Sequence, residues 1–224
     1  MRGANLPDAR RLTVASRLST STHQSGDETR ARIMTATLQT LGTVGIVGAT
    51  ARAIARTGGF NQALIFYHFG SVTDLLVAAA RYEGEQRAQR YAPRLQSVQE
   101  LPDLVAVAKE LHTEELVEGG LNVLTQLVAG AASSPELRRG LMDAFKPWMQ
   151  LVEDAVERVL AGTPYAGVIR SDDLSFAITS LFLGVELMHT LDPERETATA
   201  LFTTFEALAT ILQAMLRPGA GEVG

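Results

Sequence analysis

The chain has 224 residues, 46% hydrophobic and 20% charged, with a mean hydropathy of +0.08 and no cysteine. This composition suits one or two globular domains that fold without staples, and it excludes disulfide scaffolds, thiolate metal sites and cysteine nucleophiles. The net charge of −5 is unevenly placed: residues 1–94 carry twelve Arg, no Lys and six acids, net +6, and the remainder carries −11. A basic N-terminal part therefore precedes an acidic one.

Residues 1–26 are rich in Ser, Thr and Arg, with no apolar periodicity and no apolar signal-like core. They read as a disordered arm and not as a secretory signal. From Glu28 the spacing of Ile33, Thr37 and Leu41, with Met34 and Leu38 beside them, predicts a helix stopped by Gly42 and Gly45. Thr50 then caps a short helix from Ala51 to Thr57 that ends at Gly58-Gly59. Asn61 caps another, from Gln62 to Tyr67 or His68, before Gly70. Ser71-x-x-Asp74 opens a helix expected to end at Ala92, ahead of Pro93.

Further helices are expected from Pro102 to Val117 and from Leu121 to Ala131. A long one runs from Ser134-Pro135-Glu136 to Leu160, with Pro147 predicting a kink or break near Asp143 to Lys146. Ser171-Asp172-Asp173 caps a helix to Thr190, and Asp192-Pro193-Glu194 opens a last one to Leu216. Alternating strand patterns are missing, so the fold class is all-α with about nine helices. No apolar stretch reaches the roughly 18 residues of a membrane span, so no membrane partner is expected and the cytoplasm is the default location.

Two short helices joined through Gly58-Gly59-Phe60 and preceded by a longer one form a helix-turn-helix, whose second helix enters a DNA major groove. Its residues, from Thr50 through Ile54-Ala55, Gly59 and Asn61-Gln62-Ala63-Leu64-Ile65-Phe66-Tyr67-His68-Phe69 to Ser71 and Asp74-Leu75-Leu76, resemble the N-terminal domain of TetR-family transcriptional regulators. The resemblance covers residues 28 to about 78. Ile54, Ala55, Ile65, Phe66 and Phe69 are read as the small core that sets the angle between the helices. Thr50 at a helix start and Arg52 beside it are candidates for phosphate contact. Asn61, Gln62, Ala63 and Leu64 occupy the turn that meets base edges, where Gln62 can pair with adenine. Tyr67 and His68 donate to backbone phosphates, as the matching family positions imply. The chain departs from the family pattern at Phe60, Asn61, Gln62, Ala63, Leu64 and Val72; a basic residue is usual at the positions of Gln62 and Val72, and Arg30, Arg32 or the arm are the candidates to compensate.

A single short recognition helix reads too few bases, so a homodimer is expected. Its interface is assigned to the last two helices, through Leu174, Ile178, Leu181, Phe182, Val185, Met188 and His189 on one and Leu201, Phe202, Phe205, Leu208, Ile211, Leu212 and Met215 on the other. The middle helices read as a chamber for a small, largely apolar or aromatic effector, with His112, Asn122, Gln126, Phe145, Trp148, Met149 and Phe176 as candidate contacts. The four histidines are widely spaced and make no metal or hydrolase pattern; no catalytic residue, metal or cofactor is expected, and an enzyme is not. Glu110, Glu114, Glu115 and Glu118 read as a solvated acidic face.

The resulting division is a disordered arm at 1–26, a DNA-binding domain at 27–72, a ligand-binding and dimerisation domain at 73–217 and a flexible tail at 218–224. The resemblance implies a regulator, read as a repressor, released from a double-stranded DNA operator by its effector. The alternative from another class is an all-α small-molecule-binding protein whose helix-turn-helix has lost specific DNA binding, motivated by Gln62, Leu64 and Val72.

Overall fold

The computed structural model describes the backbone of residues 9–118, 120–191 and 197–216, and the side chains of 26–115, 122–189, 191 and 200–216. Residues 1–8 of the expected arm, the expected helix opening at Asp192-Pro193-Glu194 and the tail at 218–224 lie outside the described residues. The described elements are helices: α1 (Ala9–Gly48), α2 (Ala51–Gly58), α3 (Ala63–Phe69), α4 (Val72–Ser97), α5 (Leu101–Glu118), α6 (Gly120–Ala131), α7 (Pro135–Leu160), α8 (Ser171–Leu191) and α9 (Thr197–Leu216).

The caps fall where the sequence places them. Thr50 Oγ1 accepts from Ala53 N at 3.3 Å, Ser71 Oγ from Asp74 N at 3.0 Å and Ser134 Oγ from Leu137 N at 3.2 Å. Each satisfies one of the N–H groups that the first turn of a helix leaves without a partner. Gly59, at φ 64°, closes α2 in the left-handed region.

Four expectations are corrected. Residues 9–26 continue α1 toward the N-terminus, where a disordered arm was expected; extending an existing helix adds one hydrogen bond per residue, and Ala, Arg and Leu recur through Ala9 to Leu18. At its other end α1 passes Gly42 and breaks only at Gly45, at φ 71° and ψ 179°, before ending at Gly48. Helix α4 runs through Pro93 to Ser97. A mid-helix proline costs about 3 kcal/mol, and burial of Tyr91, Leu95 and Val98 around it, at about 1.5–3 kcal/mol for a large apolar side chain, offsets that cost. Of the kink or break expected near Asp143 to Lys146, the break is absent, since helix α7 is continuous across Pro147. Its buried face on both sides of the proline, Leu141, Ala144, Val152 and Ala155, holds the two halves on one core.

Three of the clusters of buried residues are linked. Ile33, Ala36, Ile54, Ile65, Phe69 and Leu75 join α1, α2, α3 and the start of α4. Leu41, Leu76, Leu127, Leu137 and Leu141 join α1, α4, α6 and α7. Tyr91, Leu95, Leu104, Leu111, Val152 and Val156 join α4, α5 and α7. Helix α4 belongs to all three, and so ties the helix-turn-helix to the larger helical body.

Candidate functional site

Helix α3 divides cleanly by its four-residue spacing. Ile65 and Phe69 are buried against Ile33, Ile54 and Leu75, while Gln62 and Phe66, Ala63 and Tyr67 form two adjacent rows on the exposed side. Tyr67 is 82% exposed. Asn61 Oδ1 accepts from Ala63 N at 2.9 Å ahead of the helix, a bond that does not use the donors of its amide –NH2. Thr50 and Arg52, at the start of α2, and Arg56 are also exposed. These side chains together make a surface with cations, amide groups and one projecting phenol, the residue types that contact phosphates and base edges.

Three readings of this region change. Phe66, assigned to the small core, is half exposed on the row it shares with Gln62, and Leu75 from α4 takes the core position instead. The four-residue interval from Gln62 was the signal that could have found it. Leu64, assigned to the groove, is partly buried against the helix-turn-helix core, as is Val72. Two of the three departures that motivated a reader without DNA binding are therefore packing residues. Finally, Arg30 and Arg32 hold the motif together: Arg30 Nη1 donates to the His68 carbonyl and its guanidinium lies 4.4 Å from the Phe69 ring centre, while Arg32 Nη2 reaches the Gly59 carbonyl at 3.5 Å. Arg30 thus occupies a carbonyl at the C-terminal end of α3, where a cation also meets the negative end of the helix dipole. His68 is partly buried, with its ring edge-on to Tyr67.

A second feature lies in the helical body, a cavity of about 100 Å³ walled by α4, α5, α6, α7 and α8. Of the expected effector contacts, Phe145 and Trp148 line it. The other five do not. His112 is 3% exposed and its Nδ1 lies 2.6 Å from Glu186 Oε1, in a buried pair between α5 and α8. Asn122 donates to the Gly42 carbonyl at 3.0 Å, and Gln126 Oε1 accepts from Ile46 N at 3.0 Å. These two amides therefore fasten α6 to the broken end of α1, where Gly45 exposes backbone groups that need partners. Met149 is partly buried outside the cavity and Phe176 is 60% exposed.

The polar part of the cavity wall was not anticipated. Arg87 Nε donates to Glu83 Oε1 at 2.8 Å, and its Nη1 and Nη2 grip both oxygens of Glu115, the second at 3.0 Å. Glu115 is 5% exposed, so it does not belong to a solvated face. Burial alone works against the charge on Arg87, but Glu115 and Glu83 outweigh it and hold the guanidinium more firmly protonated than usual. Glu83, Arg87 and Tyr91 are four apart on α4, a helix-face pattern present in the sequence; the partner Glu115, 28 residues beyond Arg87, is not a local signal.

Residues 33–79 match the family model for bacterial regulatory proteins, tetR family. An HTH-type transcriptional regulator of Mycobacterium tuberculosis (strain ATCC 25618 / H37Rv) is 23% identical over 175 residues, spanning 77% of this chain and 88% of the relative. Among solved structures, a Rhodococcus sp. protein assigned to the TetR family of transcriptional regulators superposes with a TM-score of 0.66 at 21% identity, covering 84% of this chain and 99% of that one. The transcriptional regulator FadR from Bacillus subtilis in complex with stearoyl-CoA gives 0.64 at 14% identity, covering 80% and 96%. A transcriptional regulator from Saccharomonospora viridis in complex with choline gives 0.64 at 21% identity, covering 81% and 95%.

Proposed function

We propose that the chain is a transcriptional regulator of the tetR family, a cytoplasmic repressor that binds a double-stranded DNA operator as a homodimer and leaves it when a small molecule fills the α4–α8 cavity. The observation that carries the DNA-binding part is the exposed face of α3. Tyr67 projects 82% exposed beside Gln62, Ala63 and Phe66 on a helix whose other face is locked into a core. Two aromatic side chains, Phe66 and Tyr67, stand exposed side by side there, a surface that a bound duplex would cover. In this reading Gln62 and Ala63 meet base edges, and Phe66 packs on a thymine methyl or sugar. Thr50, Arg52, Asn61, Tyr67 and His68 hold phosphates. Leu64 supports the helix from behind.

Two helices connect the cavity to the reader. Helix α4, capped by Ser71 beside the recognition helix, carries Glu83, Gly84 and Arg87 to the cavity. Helix α6 lines the same cavity with Val123, Leu124 and Leu127, and holds α1 through Asn122 and Gln126. A ligand that prefers a shifted α4 or α6 changes the spacing of two recognition helices. A preference of about 1–3 kcal/mol changes operator affinity roughly 5- to 150-fold.

The test is fluorescence anisotropy and footprinting of the purified protein on fragments of its source genome. A sequence-selective footprint is expected. Tyr67→Ala should weaken it about tenfold or more, while leaving the unfolding free energy within about 0.5 kcal/mol, as for an exposed side chain. No selective footprint on any fragment removes the reading.

A further inference from the structure

Two distant structural relatives hold ligands of opposite character, an acyl-CoA and a choline cation, so fold similarity does not choose between them. The charge on this chain's own cavity wall does. Among the described residues lining the cavity, the ionisable ones near neutrality are Glu83, Arg87 and Glu115. The guanidinium spends Nε on Glu83 and both terminal nitrogens on Glu115. One cation is thus bound by two carboxylates, and the wall carries a net charge of −1. An entering anion would have to displace a buried carboxylate from a bidentate pair and would still face the second. An entering cation meets the uncompensated charge directly.

The rest of the wall fits the same ligand. Tyr91 and Trp148 meet edge-on with ring centres 6.1 Å apart, and Phe182 lies 6.3 Å from Trp148. Phe145 and several aliphatic side chains complete the enclosure. Aromatic faces attract a cation through their quadrupoles, and they do so without hydrogen bonding, which suits an alkylated ammonium. A volume of about 100 Å³ is below the roughly 150 Å³ of an engineered cavity that takes up benzene. The group that enters first is therefore a compact one.

We propose that the effector is an amphipathic organic cation, its alkylated ammonium or comparable head placed between the Glu83–Arg87–Glu115 cluster and the Tyr91–Trp148 aromatic pair. The assignment rests on the cavity being the effector site of the regulator. Glu83 is the specificity-determining carboxylate, because Glu115 is already neutralised by two bonds to Arg87 and its own side chain is nearly inaccessible.

Trp148 is the single tryptophan of the chain and lies in the cavity wall, so its fluorescence reports occupancy of this site. Phenyltrimethylammonium, tert-butylbenzene and benzenesulfonate share a similar bulk and carry charges of opposite sign or none. Titrated into the full-length protein at one ionic strength, the cation should bind about tenfold or more tightly than either of the others. Glu83→Gln, at a partly exposed position and able to keep a hydrogen bond to Arg87, should weaken the cation about fivefold and leave tert-butylbenzene unchanged. Glu115→Gln is the second variant, with folding checked by circular dichroism. Equal or tighter binding of the neutral or anionic probe, no binding of any probe up to millimolar concentration, or a Glu83→Gln protein with unchanged cation affinity would overturn the proposal. Operator binding is measured separately without ligand. A chain that binds the cation and never binds DNA keeps this assignment and loses the repressor reading; one that binds DNA and rejects the cation does the reverse.

Discussion

Glu186 is 1% exposed and its Oε1 faces His112 Nδ1 across 2.6 Å, with the His189 ring edge-on to His112 and the Phe202 ring tilted against it at 5.2 Å. Burial pushes its carboxyl above the ordinary value of 4.5; His112 and His189 pull it back, and Glu115 adds to the rise. A carboxyl that holds its proton more tightly in the folded chain than in the unfolded one makes stability fall as pH rises from its ordinary value through the raised one. Urea unfolding of the wild type and Glu186→Gln across that window checks the sign. The wild type should lose stability relative to the Gln variant as pH increases; a difference that stays flat, or reverses, contradicts the burial account. The same residue shows why the lining of the cavity was not legible in the sequence. His112 is a polar residue on an apolar helix, and its partner lies 74 residues away, so a side chain that completes the core looks the same from sequence as one that awaits a ligand.

At the scale of helices, legibility follows distance along the chain. The helix starts at Thr50, Ser71 and Ser134 were readable because cap and recipient lie three residues apart. The ends of α1 and α4 were not, because what carries α4 past Pro93 is burial of Tyr91, Leu95 and Val98 against other helices, and tertiary burial outweighs local propensity. The cavity depends on the closest approach of two helices in the same way. A Cβ built on Gly84 of α4 would stand 2.4 Å from the Ala144 carbonyl oxygen of α7. That oxygen is backbone and cannot swing aside, so α4 and α7 must separate. Gly84→Ala should cost about 1–3 kcal/mol, as for overpacking a core, and should weaken the Trp148 response to cavity ligands. Thermal denaturation and fluorescence titration read the two effects; a variant as stable as wild type would mean that the helices are not held this close.

For the molecule as a whole, the exposed apolar residues of α8 and α9 and the split of charge belong to one picture. Leu208, Ile211, Leu212 and Met215 form a stripe on α9, and Leu181 and Met188 lie seven apart on α8, all between 51% and 65% exposed except Leu208 at 48%. A stripe this continuous, left unburied by its own chain, is the surface expected of a partner helix pair. Ile211→Glu places a charge in that stripe without touching the core, so the chain should fold and sediment at half the wild-type mass, with operator affinity reduced about tenfold or more because one half-site is read alone. Unchanged mass would move the interface elsewhere.

A dimer of this chain carries twice the net charge of −5, yet in the proposed function it approaches a polyanion, and the division near residue 94 explains how. The +6 lies on the part that holds α2 and α3, where Arg52 and Arg56 are exposed, and the −11 lies on the part beyond residue 94, which holds the α8–α9 stripe. Local charge, not the total, governs counterion release, since only cations at phosphates displace condensed ions. Repulsion of the acidic half keeps it away from the duplex and orients the approach. The salt dependence of operator binding separates these contributions. Each lost phosphate contact lowers the slope of log K against log salt by about 0.9, so Arg52→Ala, removing one contact per protomer, should reduce it by about two in the dimer. Glu110→Gln, at an exposed position in the acidic half, should leave the slope unchanged. An unchanged slope for Arg52→Ala would place that guanidinium away from the phosphates and leave the start of α2 without its proposed role.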